Sequence, residues 1–501
     1  MKETKKIPTM SIPLDQARGP YVLGIDVGST ASRGGLYDAS GRPVKGSKQR
    51  IAHEFSTGID GTSAIDADQV VDECREVIDG VVAFVKENKL EVSAVIMDSF
   101  ASSLILVSRK GKALTRCVTY ADSRCAPYVG TLREELDEQE YHARTGVRFH
   151  TSYHPARLAW LREEHPELLA KTDVVMTIGE YVYFQLAGIR GVATSTAAWS
   201  GIVNLRTGEP DVEILDAVGV DKHVIQPLFD PDEPAYPEAT GWKRLNGVPW
   251  FHAIPDGWPS NIGPGAVDEN TVAVAAATSG AMRVVLPEIP ERVPAGLWCY
   301  RLSASSCIVG GALNDVGRAV AWLERTLAPV EHEELAEALA AEPDDDTPFV
   351  LPFFSGERAT GWAANARAAF ARVSDDTSVL DMWRATVEGL ALSYGRIAEE
   401  LETLGVSADR VIASGRVTSE HPAWLQVLAD TLRTPVVPLA MKRATLRGTA
   451  LIALDVIDPG GERATPPFGD PYGPVAGREE HYRGIREEFD RLYGVLVEES
   501  R

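Results

Sequence analysis

Asp26 stands between Ile25 and Val27 in an apolar run and is followed at once by Gly28, Ser29 and Thr30. A small hydroxyl-bearing turn can aim backbone N–H groups and side-chain hydroxyls at an anion. A carboxylate at the strand end beside it makes sense through a cation such as Mg2+. The competing reading of any one such turn is a plain hairpin with a solvated aspartate. A dinucleotide fingerprint needs G-x-G-x-x-G opening a helix, and a Walker loop needs G-x-x-x-x-G-K-[ST]. Neither fits, because the chain continues as "GGLYDASGRPV", strand residues that run into a second turn. Half the chain away, "VAVAAATSGAMRVVLP" (272–287) repeats the form, with Gly28-Ser29-Thr30-Ala31-Ser32-Arg33 lying over Thr278-Ser279-Gly280-Ala281-Met282-Arg283. Ala276 replaces Asp26 in this alignment, so one copy alone would hold the metal. Asp256, in the Pro/Gly-rich "IPDGWPSNIGPGA" (254–266), precedes the second hairpin and could take a proton from a hydroxyl facing that phosphate. Capping of an Asp-Gly turn is its alternative role.

Two strand–turn–strand units half a chain apart imply two related α/β domains closing on a polyphosphate from both sides. The 501 residues suit two or three domains. A formal charge of −22 argues against a nucleic-acid partner. Any anionic substrate must then be met by a local cluster of arginines or amides. No apolar run reaches the ~18 residues of a membrane span. The first 20 residues lack the apolar centre of a secretory signal. Cys74, Cys117, Cys125, Cys299 and Cys307 are scattered without metal-ligand spacing and read as free thiols of a cytoplasmic protein. The "REEHYRGIREEFDRLYGVLVEE" segment near the C-terminus reads as an amphipathic packing helix.

From residue 20 onward the chain resembles the FGGY carbohydrate kinases. "GIDVGSTASRGGLYD" looks like their first phosphate motif, "TYADSR" (119–124) their T-W-A-D-x-R segment, and "TGVRFHTSYHPARLAWL" (145–161) the segment that follows. "GGALNDVGRAVAWL" (310–323) and "LPFFSGERATGWAANARAAF" (351–370) resemble second-domain motifs, the latter leaning toward the gluconate-kinase branch. "ASGRVTSEHPAWLQVLADTL" (413–432) is similar to the adenosine loop and its helix. The resemblance implies two actin-like, ribonuclease-H-like ATPase domains with a catalytic cleft between them, and ATP and Mg2+ as partners. It implies phosphate contacts from Gly28, Ser29, Thr30, Arg33, Thr278 and Ser279, with Asp26 toward the metal and Asp256 as base. Gly310 and Gly317 would admit nucleotide or serve helix packing. Gly415 would frame the adenine, and Arg416, where the family has a second glycine, would stack on the base or close the pocket. Ser102, Ser103 and Ser152 fall on the sugar side. Asp122 and Arg124 would contact sugar or form an interior ion pair. His150 and Trp160 read as core residues. Pro255 stands where the family's catalytic loop usually has glycine, and Ala101-Ser102 replaces the Met-His of xylulose kinases.

The expected division is a flexible tail over 1–19, an N-terminal domain over 20–253 and a C-terminal domain over 254–501. The expected reaction is phosphorylation of gluconate at its terminal hydroxyl to 6-phosphogluconate, with Arg124, Arg148 or Arg157 pairing with the carboxylate. The alternatives are kinases of a neutral ketose or polyol, or a nucleotide-binding regulatory module without turnover. The expected partners are small molecules, with no nucleic acid and no membrane, and a homodimer is compatible with the sequence.

Overall fold

The computed structural model describes residues 10–344 and 346–498. Val22–Val27 (β1) and Ala31–Tyr37 (β2) form the first hairpin. Gln49–Ala52 (β3) adds antiparallel to β2, while Ala94–Ser99 (β4) adds parallel to β1 and Trp250–Pro255 (β5) parallel to β4. The order is therefore β5-β4-β1-β2-β3. Nearly every residue of β1 and β4 is buried, as expected of central strands covered on both faces. Ala67–Glu87 (α1) covers one face, its start fixed by Asp66, which accepts from Asp68 N and Gln69 N. Its apolar stripe of Val70, Cys74, Val77, Ile78 and Val81 is buried. Gly34 admits that stripe: a Cβ there would lie 2.5 Å from Val77 Cγ1.

The second sheet repeats the plan. Thr271–Ala276 (β6) and Gly280–Leu286 (β7) form its hairpin, and Trp298–Arg301 (β8) and Cys307–Leu313 (β9) extend it on the β7 side. Arg410–Ser414 (β10) runs parallel to β6, and Val436–Pro438 (β11) parallel to β10. The order β8-β9-β7-β6-β10-β11 contains the first sheet's arrangement with one added edge strand. Gly317–Thr326 (α2) and Val379–Glu402 (α3) pack on it, α3 opening on a Ser378/Asp381 capping box. Ala444–Ile457 (α4) crosses back and lies on β1 and β4 of the first sheet. Glu479–Tyr493 (α5) buries Tyr482, Ile485, Phe489 and Tyr493, the packing role its periodicity implied.

β5 runs to Pro255, two residues past the division expected at 253, so Asp256 follows directly on the first sheet. Residues 10–19 of the expected tail are bound to the first domain rather than flexible. Ile12 and Ala17 are buried, Ile12 N donates to Pro43 O at 3.0 Å, and Lys45 N to Ile12 O at 2.9 Å. Residues 1–9 of that tail lie outside the described residues. All five cysteines are free and buried. Among the described residues no helix is long and apolar enough to cross a membrane. The two halves are joined over β8: Cys299 N donates to Gly146 O at 2.8 Å, and the Tyr153 and Tyr300 hydroxyls meet at 2.6 Å.

Candidate active site

Three parallel neighbours, β1, β4 and β5, end side by side and bring three carboxyl groups to one place. Asp26 and Asp98 are register partners on β1 and β4, and Asp256 follows β5, its N–H donating to Ser99 O at 2.9 Å. Open α/β sheets bind ligands outside the carboxyl ends of such strands. The Asp26 carboxylate accepts from Arg33 across the hairpin at 3.0 Å, and Arg33 also reaches Thr30 Oγ1 at 3.3 Å. Burial raises the Asp26 pKa, and the Arg33 charge opposes that rise. Asp98 is wholly buried, accepts from Thr449 Oγ1 at 2.5 Å, and leaves Oδ1 without a hydrogen-bond partner. Burial and the charges of Asp26 and Asp256 hold its carboxyl well above the usual range. Asp256 is half-buried, and burial and then the Asp26 charge push it up to about 6. Arg283 and the N–H groups of Ala101 and Gly257 resist that shift.

The first hairpin tip is rigidly backed. Gly28 O meets His53 Nε2 at 2.8 Å, and His53 Nδ1 meets Glu73 at 2.7 Å. Ser29 and Thr30 stand exposed at the tip, as do Thr278 and Ser279 on the second hairpin. The second tip is braced by the start of α2: Gly317 N donates to Ala277 O at 2.8 Å, and Arg318 N to Thr278 O at 3.2 Å. A Cβ on Gly317 would strike the Ala277 carbonyl, so its packing role is direct. Gly310 lies inside β9, where a Cβ would strike Met282 O, and serves the sheet. Gly415 takes φ +107° at the end of β10 and rests on Ala276, leaving the loop flat against β6. Arg416 pairs with Glu420 at 3.0 Å, its side chain half exposed.

The alignment of the two hairpins needs correction. Val27 pairs with Ser32 across the connection 28–31, whereas Ala276 pairs with Gly280 across the shorter connection 277–279. A one-residue difference turns the following strand over. Arg283 therefore pairs with Ala273 and Gly310 and is no counterpart of Arg33. Its Nη1 reaches Ser260 at 3.1 Å, its Nε has no partner, and its charge acts on Asp256.

Several expected sugar contacts hold other positions. Ser102 Oγ donates to Trp199 O at 2.6 Å, and Ser103 Oγ accepts from Ile178 N at 2.9 Å, both buried. Asp122 accepts from Ser63 N and from Arg124, each at 2.8 Å, and Arg124 lies 4.5 Å over Trp160, which is the interior ion pair. Ser152 bonds His150 Nδ1 at 2.9 Å. Arg148 donates to Ala295 O at 2.8 Å and faces Glu138 at 3.4 Å. Arg157 is fully buried among carbonyls, donating to Thr151 O and Ser102 O. Arg124 and Arg148 are thus engaged within the fold, while Arg157, wholly buried, keeps its Nη2 without a partner.

Arg358 lies beside the same first-domain segment as Arg148 and Arg157. Its charge acts on Tyr153, its guanidinium lies 6.0 Å over Trp362, and it has a buried Nε without a partner. Its charge acts on His150, Tyr300 and Tyr120, and Tyr120, at the rim, also feels Asp256. Glu357, its neighbour in the same motif, is structural: it pairs with Arg396 at 2.8 Å and accepts from Tyr493. Asp98 escaped sequence reasoning, although "VIMDS" carries the same signal as "GIDVG", an aspartate interrupting an apolar strand.

Among the described residues no group of three histidine, cysteine or acidic side chains forms a metal site. Asp26 with Asp98 behind it fits Mg2+, which commonly takes one or two carboxylates and completes its shell with phosphate and water.

Two facing actin-like domains, with phosphate hairpins and a carboxylate cluster between them, define a phosphotransferase of the sugar-kinase class. Models of the N-terminal and C-terminal domains of the FGGY family of carbohydrate kinases match residues 21–236 and 276–454, and the chain belongs to that family. A gluconokinase from Bacillus subtilis is 25% identical over 452 residues, covering 87% of each chain. A glycerol kinase from Trichormus variabilis is 23% identical, covering 86% of this chain and 89% of that protein. The fold superposes on a gluconate kinase from Lactobacillus acidophilus with a TM-score of 0.87 at 24% identity, covering 95% and 98% of the two chains.

Proposed function

We propose that the protein transfers the γ-phosphoryl group of ATP to a hydroxyl of a sugar acid, gluconate being the best candidate. Gly28, Ser29, Thr30 and Arg33 on one hairpin and Thr278 and Ser279 on the other would hold the phosphates, and Gly415 would frame the adenine. Mg2+ at Asp26 would neutralise charge on the β- and γ-phosphates. Asp256 accepts the acceptor's proton while the hydroxyl oxygen bonds to the γ-phosphorus and the bond to the bridging oxygen breaks, releasing ADP. A carboxyl shifted to about 6 suits a base at neutral pH, being ionised yet more basic than an ordinary aspartate.

The observation that carries the sugar-acid reading is Arg358, a cleft cation whose Nε lacks a partner. The gluconokinase relatives agree with it. The glycerol and xylulose kinase relatives favour a neutral polyol or ketose instead. A coupled ADP-release screen over sugar acids, ketoses and polyols decides between them. Gluconate is expected to give the highest kcat/KM, and a neutral acceptor ranking first would remove the gluconate assignment.

A further inference from the structure

On the other side of Arg33 from the hairpin tip, a cavity of about 360 Å³ lies between β2, the 43–48 loop and residues 441–447, which lead into α4. It is built from both halves of the sequence. Tyr37, Val44 and Leu446 are buried and form an apolar floor. Lys45, Lys48, Lys442 and Arg443 line its mouth and are exposed. No aspartate or glutamate lines it, in a chain with 72 acidic and 50 basic residues. Among the described residues, none of these four side chains makes an ion pair, and Arg447, deeper in, donates to Gly263 O and Ala464 O through its two terminal nitrogens and leaves Nε without a partner. Burial, and then the charges of Arg443, Arg33 and Arg50, hold the Lys48 ammonium below its ordinary range. Four unpaired cations around one apolar hollow repel one another, and an anion with an apolar or ring body relieves that repulsion.

We propose that this cavity is a regulatory binding site for a phosphorylated small molecule, gripped by Lys45 and Lys48 from one domain and Lys442 and Arg443 from the other half of the chain. Its size suits a sugar phosphate. Its reach into catalysis is short. Arg33 lines the cavity, and its guanidinium holds Asp26 at the first hairpin. An occupant that also touches residues 441–447 ties the first hairpin to the segment that crosses from the second half. Binding therefore alters nucleotide affinity.

The test is calorimetric titration of the full chain with glucose 6-phosphate, without nucleotide, with pyrophosphate and glucose as parallel probes. The Lys45→Ser/Lys442→Ser double variant changes only exposed side chains outside the proposed catalytic machinery, and its basal turnover should match wild type. It should weaken glucose 6-phosphate binding by about tenfold or more, the worth of losing charge-assisted contacts. Thr278→Val, which alters the cleft, should leave that binding intact. Equal losses for both phosphate probes support the site and assign recognition to phosphate alone. A loss larger for glucose 6-phosphate supports it and adds the ring. Glucose 6-phosphate should also shift the KM for ATP in wild type and not in the double variant. The proposal is overturned if millimolar glucose 6-phosphate does not bind, if Thr278→Val rather than the double variant removes binding, or if neutral glucose binds equally well. Binding without any change in ATP kinetics would overturn the regulatory role.

Discussion

At the scale of single residues, the proposed function assigns the chemistry to Asp256 and the selectivity to Arg358. Replacing Asp256 by Asn keeps the shape and removes the base, so turnover should fall by about 10²–10⁴ while ATP binding persists. Turnover close to wild type would take Asp256 out of the reaction. The same carboxyl sets the acid limb of the rate. Its pKa is raised to about 6, so the active, ionised form is lost as the pH falls through that value. With a neutral acceptor, kcat/KM should drop about tenfold per unit below pH ~6. A limb near pH 4 would belong to an unshifted aspartate. Arg358→Met should cut kcat/KM for gluconate by about 10–100-fold and leave a neutral polyol of equal length nearly unchanged. Equal losses for both acceptors would instead assign Arg358 to holding Tyr153.

At the scale of elements, the two hairpins are alike in plan and unlike in register. The first turns an arginine back onto Asp26, and the second turns its arginine toward Ser260 and Asp256. The proposed adenosine loop depends on another backbone detail. Gly415 sits at φ +107° with the end of β6 against its α-carbon, so Gly415→Ala should cost about 1–3 kcal/mol through strain alone. The urea midpoint and the KM for ATP report it together. If stability falls while the KM for ATP holds, the loop does not frame the nucleotide.

At the scale of the molecule, the halves are not two independent beads. α4 belongs by sequence to the second half yet lies on the first sheet, and Thr449 donates to Asp98 at 2.5 Å. Thr449→Val leaves a wholly buried carboxyl without that donor and should destabilise the protein by about 1–3 kcal/mol. Denaturation followed by fluorescence measures the loss, and an unchanged midpoint would show that Asp98 finds another partner.

The sequence by itself determined the family, the duplicated plan, the hairpin tips and the candidate base. Those features rest on local signals: a turn of small residues, an aspartate breaking an apolar strand, an Asp-Gly loop before a hairpin. The free cysteines and the packing role of α5 were legible for the same reason. What only the tertiary structure decided depends on pairing across distance. The one-residue difference between the hairpins is invisible until strands are set in register, and it separates Arg283 from Arg33. Arg124, Arg148 and Arg157 were eligible as carboxylate partners until packing set Arg124 on the buried Asp122, Arg148 on Ala295 O and Arg157 among buried carbonyls. Asp98 becomes part of the site because β4 pairs with β1, and Arg358 enters it because its charge falls near Tyr153 and His150, some 200 residues away in sequence. A charge declares its type in the sequence, but which opposite charge or empty space it meets is set by packing.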